Sequence, residues 1–266
     1  MSKNESVDKL IESSGIITHH KVINKLREQG WHVLISPFYY DNIVNNIREI
    51  DIIAEKQFNS GLAGDSDQQI NVQLFLECKY IIKEIIFWFD DKNESGAVSK
   101  LEKDTGLRIL HGRTSADITP DKFHYLSNQK VAKLFSTNTN KEDVIYKAIT
   151  QCLNSEIYYD QWSNNPIHFS FSRRQGVKTA IIKYPVIICD NFDKLQEVNF
   201  TNGTYEHKNI KDFFQLEINY TYLDKTKTRA ITENFWIDIV NFNDLDSFIG
   251  VIEKEAREIL MANPDN

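Results

Sequence analysis

Apolar and polar residues alternate most sharply in the second half of the chain. Phe214, Leu216, Ile218, Tyr220 and Tyr222 recur at every second position, the period of a strand with one buried face. Ala180-Ile181-Ile182 leads into Pro185-Val186-Ile187-Ile188-Cys189, a continuous apolar run expected of a central strand covered on both faces. Phe235 to Val240 predicts a further strand. Leu245, Phe248, Ile249, Ile252 and Ile259 mark one face of a closing helix, with Asp244 or Asp246 as its cap. Near the start, Val22, Ile23 and Leu26 form the stripe of a helix between Thr18 as N-cap and Gly30 as its C′ residue. Trp31, Val33 and Ile35 then alternate as a first strand, and Pro37 and Tyr39 to Asn42 turn the chain. Between Ser127 and Tyr159 two helical patterns are expected, one on Val131, Leu134 and Phe135, the other on Val144, Ile145, Ala148, Ile149 and Leu153.

Two short β-rich segments, Arg48 to Ala54 and Val72 to Lys79, read as one hairpin. A Gly- and Asp-containing loop, long for a hairpin, separates them. Charge interrupts both segments: Asp51 lies within an isoleucine run, and Glu77 and Lys79 end the second strand. Side chains alternate along a strand, so Glu77 and Lys79 share a face while Leu76 and Cys78 point the other way. Carboxylates are costly to bury without a partner or a metal. Two of them beside an ammonium suit a hard divalent cation, or else they form a solvated surface ion pair.

Composition narrows the classes. The chain has 266 residues, enough for a sizeable core, and a formal net charge of −7. That balance argues against unspecific coating of nucleic acid but leaves room for a local basic groove. Cys78, Cys152 and Cys189 are scattered, which points to a reducing compartment and no zinc site. The polar N-terminus has no apolar signal core, and no run approaches membrane-spanning length, so a cytoplasmic protein is expected. No composition shift splits the chain. One α/β domain over 1–266 is expected, with a helical or irregular insertion at about 90–160.

Asp51 followed across a loop by Glu77-x-Lys79 resembles the PD-(D/E)xK nuclease superfamily, which has the restriction-endonuclease-like fold. The likeness extends to Gly15 through Val22, Leu26, Gly30-Trp31, Tyr39-Tyr40-Asp41, the Arg48-Glu49-Ile50-Asp51 run and Phe87-Trp88-Phe89, and covers about residues 7 to 90. The resemblance is to an uncharacterised bacterial branch. It implies a mixed β-sheet flanked by helices and Mg²⁺- or Mn²⁺-dependent hydrolysis of phosphodiester bonds in nucleic acid, with DNA favoured. On that reading Asp51, Glu77 and the main-chain carbonyl of Cys78 hold the metal, and Lys79 stabilises the attacking water.

His19 takes the position where the family usually has a Glu. As a metal ligand, general base or phosphate contact it would belong to the site; as a core histidine it would mark a decayed one. Candidate substrate contacts are Arg173, Arg174 and Lys178, with His111-Gly112-Arg113 as a loop alternative and Trp31, Tyr39 and Tyr40 as base-stacking aromatics. Two other function classes remain: an inactive nuclease fold that binds nucleic acid or a protein, and an acidic immunity-type partner protein. A homodimer is a further arrangement to test.

Overall fold

The computed structural model describes residues 11, 15–41, 43–59, 68–105, 109–110, 113–114, 123–137, 144–161, 178–201, 203–224 and 226–262. Helix α1 (Ile16–Glu28) starts after Gly15 without a side-chain cap, so Thr18 lies in its first turn rather than at its N-cap. Its end follows expectation: Gly30 adopts φ 79°, and the Trp31 N–H reaches back to the Leu26 carbonyl. That left-handed closing position suits a residue without a Cβ. Strands β1 (His32–Ile35), β2 (Phe38–Asp41), β3 (Asn46–Glu49), β4 (Ile52–Asn59) and β5 (Gln68–Lys79) follow. Of the expected turn at Tyr39 to Asn42, Tyr39 to Asp41 are instead half of a small hairpin, because β2 and β3 pair with each other, and Asn42 lies outside the described residues.

Next come β6 (Ile85–Asp91), helix α2 (Glu94–Thr105), two-residue strands β7 (Ile109–Leu110) and β8 (Arg113–Thr114), the single turn α3 (His124–Ser127), β9 (Lys130–Thr137) and α4 (Val144–Gln161). The stretch expected as a helical or irregular insertion therefore supplies a strand, β9, to the main sheet. The helix expected on Val131, Leu134 and Phe135 is that strand. A short apolar run fits both periods, and pairing with β6 decides it. The chain closes with β10 (Lys178–Cys189), β11 (Leu195–Thr201), β12 (Thr204–Asn209), β13 (Phe214–Leu223), β14 (Ala230–Asn241), a 3₁₀ turn (Phe242–Asp244) and α5 (Leu245–Ala262). Asn241, not Asp244 or Asp246, caps this end by accepting the Asn243 N–H. Asp246 binds Lys25 of α1 instead. The expected alternation at Ile167 to Phe171 lies outside the described residues.

Ten strands form one mixed sheet in the order β1-β4-β5-β10-β14-β13-β9-β6-β11-β12. β1, β4 and β5 are antiparallel neighbours; β10 runs parallel to β5, and β14 parallel to β10. The expected α/β class, a mixed sheet flanked by helices, is thus present. Alternation along each strand splits the core. Leu74, Leu76, Val186 and Ile188 pack with Val22, Leu26, Leu101, Tyr125 and Phe248, so α1, α2, α3 and α5 cover one face. Ile187, Cys189, Ile237 and Ile239 pack with Ile149, Cys152 and Leu153 of α4 on the other. Full burial of a large apolar side chain contributes about 1.5–3 kcal/mol, so these layers fix the end of β5 firmly. Among the described residues no helix is long and apolar enough to cross a membrane.

Candidate active site

Registry puts Asp51 opposite Glu77. β4 and β5 pair Ile53 with Phe75 and Ile52 with Leu76, so the next step along the ladder joins these two residues. Like charges directly opposite are destabilising. Here the main-chain ladder ends and side chains replace it. The Asp51 N–H donates to Glu77 Oε1 at 3.2 Å, and the Cys78 N–H donates to Asp51 Oδ2 at 2.7 Å. Lys79 Nζ donates to Glu77 Oε2 at 2.5 Å and stands 4.0 Å from Asp51 Oδ2. The three residues singled out in the sequence converge at one point.

Their electrostatics follow from burial. The Glu77 side chain is 0 % exposed. Burial pushes its pKa up to about 7, the Asp51 charge adds to that, and Lys79 opposes it. Burial alone would lower Lys79, but the Glu77 and Asp51 charges outweigh it and raise its pKa. Lys79 is therefore an ammonium at neutral pH. Burial raises the Cys78 thiol well above its ordinary value, and its side chain packs on the α1/α5 layer. That thiol is no nucleophile. A strand residue's N–H and C=O leave by the same edge. The Cys78 N–H meets Asp51 while the Lys79 C=O accepts from the Asp190 N–H on the β10 side. The Cys78 carbonyl accordingly shares the Asp51 edge.

His19 acts on the backbone. Its Nε2 donates to the Asp51 carbonyl at 3.0 Å, and the Ser36 N–H donates to the same oxygen at 2.9 Å. The histidine thus positions Asp51 across 32 residues of chain. On the opposite side, Gln151 Nε2 of α4 donates to the Glu49 carbonyl at 3.0 Å. Tyr39 is buried with its hydroxyl unpartnered among the described residues. Burial first, then the charges of Asp41 and Glu77, hold that phenol protonated.

Most of the expected substrate contacts fall outside what the structure describes. Arg173, Arg174, His111 and Gly112 lie outside the described residues, as do the side chains of Lys178 and Arg113, whose backbones open β10 and β8. Trp31 and Tyr39 are buried in the core and offer no face for stacking. Of the three aromatics only Tyr40 is accessible, with Lys227 Nζ 4.6 Å above its ring.

Two buried polar clusters had no local signal in the sequence. His124 Nε2 lies 2.7 Å from Asp238 Oδ1, and the Tyr184 hydroxyl donates to Glu255 Oε2 at 2.8 Å. The members of the first pair are 114 residues apart. The second cluster lines a cavity of about 260 Å³ with Lys100, Asp104, Glu156, Asp160 and Lys183. There Lys100 binds Asp104 at 3.1 Å and Glu156 at 3.4 Å, and Lys183 binds Asp160, while Glu156 Oε2 has no hydrogen-bond partner among the described residues.

For a divalent metal, the candidate donors are the Asp51 and Glu77 carboxylates and the Cys78 carbonyl. Among the described residues no group of three or more His, Cys, Asp or Glu side chains gathers as a metal cage. Mg²⁺ is ordinarily held by one or two carboxylates with waters, so the two-carboxylate set fits it. A fully buried carboxylate raised by a second one is the environment that a dication relieves. Comparisons with protein-family models, curated proteins and solved structures find no match.

Proposed function

We propose that this chain is a metal-dependent phosphodiesterase of the PD-(D/E)xK type that cuts nucleic acid, with DNA as the favoured substrate. The observation that carries the reading is the convergence of Asp51, Glu77 and Lys79 at the open end of the β4–β5 pair. Strand order supports it as well. An antiparallel β1-β4-β5 unit follows α1, and β10 lies parallel to β5 beneath α4, the arrangement expected of a restriction-endonuclease-like core.

Asp51, Glu77 and the Cys78 carbonyl would hold Mg²⁺ or Mn²⁺, which supplies Lewis-acid activation of a phosphoryl oxygen and of a water. Lys79 keeps its proton and presents a positive charge to the anion that develops at phosphorus. His19 holds the Asp51 backbone so that its carboxylate stays aimed beside Cys78.

Calorimetric titration with Mn²⁺ tests the metal half of this reading. Wild-type protein is expected to bind, and Asp51→Ala to lose binding at least tenfold. Equal binding by Asp51→Ala, or none by the wild type, contradicts it.

A further inference from the structure

The β2–β3 hairpin runs from beside the carboxylates out to solvent. Its register pairs Phe38 with Glu49, Tyr39 with Arg48, Tyr40 with Ile47 and Asp41 with Asn46. Alternation then puts Tyr39, Asp41 and Arg48 on one face, and Phe38, Tyr40, Ile47 and Glu49 on the other. The first face is fastened to α4. Asn154 Nδ2 donates to Asp41 Oδ2 at 2.9 Å, the Tyr159 hydroxyl donates to the Phe38 carbonyl at 3.1 Å, and Arg48 pairs with Asp41 at 3.2 Å. The second face is open and, beyond the exposed Glu49 at its base, apolar: Phe38 is 64 % and Ile47 65 % exposed, and at the tip Ile43 is 46 % and Val44 49 % exposed. The tip is preset, because Asp41 Oδ1 accepts the N–H groups of both Ile43 and Val44. An ordered apolar projection of this kind marks an interaction surface.

A second feature says what it meets. The turn between β13 and β14 lies against the hairpin tip, with Lys227 Nζ donating to Asn45 Oδ1 at 3.2 Å. Lys227 and Arg229 are both exposed. Asp224 sets this turn by accepting from the Thr226 hydroxyl and the Thr228 and Arg229 N–H groups. Among the described turn residues these two exposed cations outnumber the one anion, Asp224, whose Oδ1 is taken up by the turn's own hydrogen bonds, so the turn is locally positive on a chain of net charge −7. Phosphates take Lys and Arg, and apolar side chains inserted at a base step unstack and bend a duplex.

We propose that the β2–β3 hairpin and the β13–β14 turn form a docking surface for duplex DNA, with Lys227 and Arg229 on phosphates and Ile43 and Val44 wedged at a base step. The proposal rests on the nuclease reading of the adjacent site. The hairpin's four-residue strands place the tip roughly 13 Å from its base, and the base leads through Ile50 directly into Asp51. A duplex gripped at the tip is thereby presented to the carboxylates.

Fluorescence anisotropy of a labelled DNA duplex in metal-free buffer tests the surface. Three proteins are compared: wild type, Lys227→Ala/Arg229→Ala and Ile43→Ser/Val44→Ser. All four positions are exposed, and unchanged melting temperatures verify folding. The cation variant is expected to weaken binding about tenfold at low salt and to reduce the slope of log affinity against log salt by about 2. The tip variant is expected to weaken binding by about tenfold with its salt slope unchanged. Wild-type affinity in either variant, or a wild type that binds no duplex, overturns the proposal. Plasmid nicking separates this outcome from the site assignment. Nicking lost in Asp51→Ala but normal in the tip and cation variants overturns the docking surface alone. Hairpin-dependent duplex binding with no nicking in Mg²⁺ or Mn²⁺ overturns the nuclease reading and leaves the surface standing.

Discussion

Asp51 and Glu77 hold each other through a crossed pair of contacts. The amide of Asp51 donates to the Glu77 carboxylate, and the Asp51 carboxylate accepts the amide of Cys78, the residue after Glu77. Both carboxylates are thus oriented before any ligand arrives, by bonds that replace the ladder where β4 begins. Preorganised charge of this kind is what electrostatic catalysis uses.

Lys79 offsets this concentration of negative charge. Replacing it in Lys79→Met leaves Glu77 buried beside Asp51 without a cation, and removing one partner of a buried pair costs about 3–5 kcal/mol. The loss is expected in full at pH above about 8. It is expected to be smaller near pH 5, where Glu77 takes up a proton instead. Urea unfolding at the two pH values reads the difference, and an equal loss at both contradicts the assigned ionisation.

Metal binding is expected to depend on pH for the same reason. Glu77 has a pKa of about 7, and a carboxylate must shed its proton to bind a dication. Affinity for Mn²⁺ is expected to rise with pH up to about 8 and to level off above it, with proton release visible as buffer-dependent heat. A pH-independent affinity contradicts Glu77 as a ligand.

Far from the site, Glu255 makes a separate prediction about stability. Burial raises its pKa from 4.5 to about 7, against the lowering effect of His124. The folded chain therefore holds a proton that the unfolded chain has lost between those values. The stability tied to that proton is complete below pH 4.5 and is lost as pH rises through about 7. His124 is raised by Asp238 and acts in the same direction. Glu255→Gln keeps an acceptor for the Tyr184 hydroxyl and is expected to flatten, not abolish, the fall in melting temperature from acid to neutral pH. An unaltered slope contradicts the assignment.

His19 is a positioning residue, and its loss should separate rate from binding. His19→Ala removes one hydrogen bond to the Asp51 carbonyl, worth about 1 kcal/mol of stability. Nicking is expected to fall by tenfold or more while Mn²⁺ affinity changes only a few-fold. His19→Gln, whose amide can still donate, is expected to recover part of the rate. Abolished Mn²⁺ binding in His19→Ala would make the histidine a ligand and contradict the positioning role.

β5, β10, β13 and β14 and the closing helix were legible because their apolar periods are long and matched to their surroundings. The single strand expected over Arg48 to Ala54 is split: Arg48 and Glu49 end β3, which pairs with β2, and β4 starts only at Ile52. Asp51, Glu77 and Lys79 stood out as charges within such runs. β9 was not legible: Val131, Leu134 and Phe135 fit a helix as well as a strand, and only pairing with β6 resolves them. The role of His19 was hidden because its partner is a carbonyl, which no side-chain pattern reports. The His124–Asp238 pair and the Lys227–Asn45 contact join residues 114 and 182 apart, so only the folded sheet brings them together. Asp41 shows the limit from the other side. It lies in a stretch read as resembling the nuclease superfamily, yet its work is to fasten a hairpin through Asn154.

The most direct test of the account is nicking of supercoiled plasmid in Mg²⁺ or Mn²⁺ by wild type, Asp51→Asn and Lys79→Met, each verified as folded by its melting curve. The account predicts metal-dependent nicking by the wild type and a loss of about a hundredfold or more in both variants. No nicking by the wild type in either metal, or nicking that survives both substitutions, would contradict the assignment of Asp51, Glu77 and Lys79 as a hydrolytic centre.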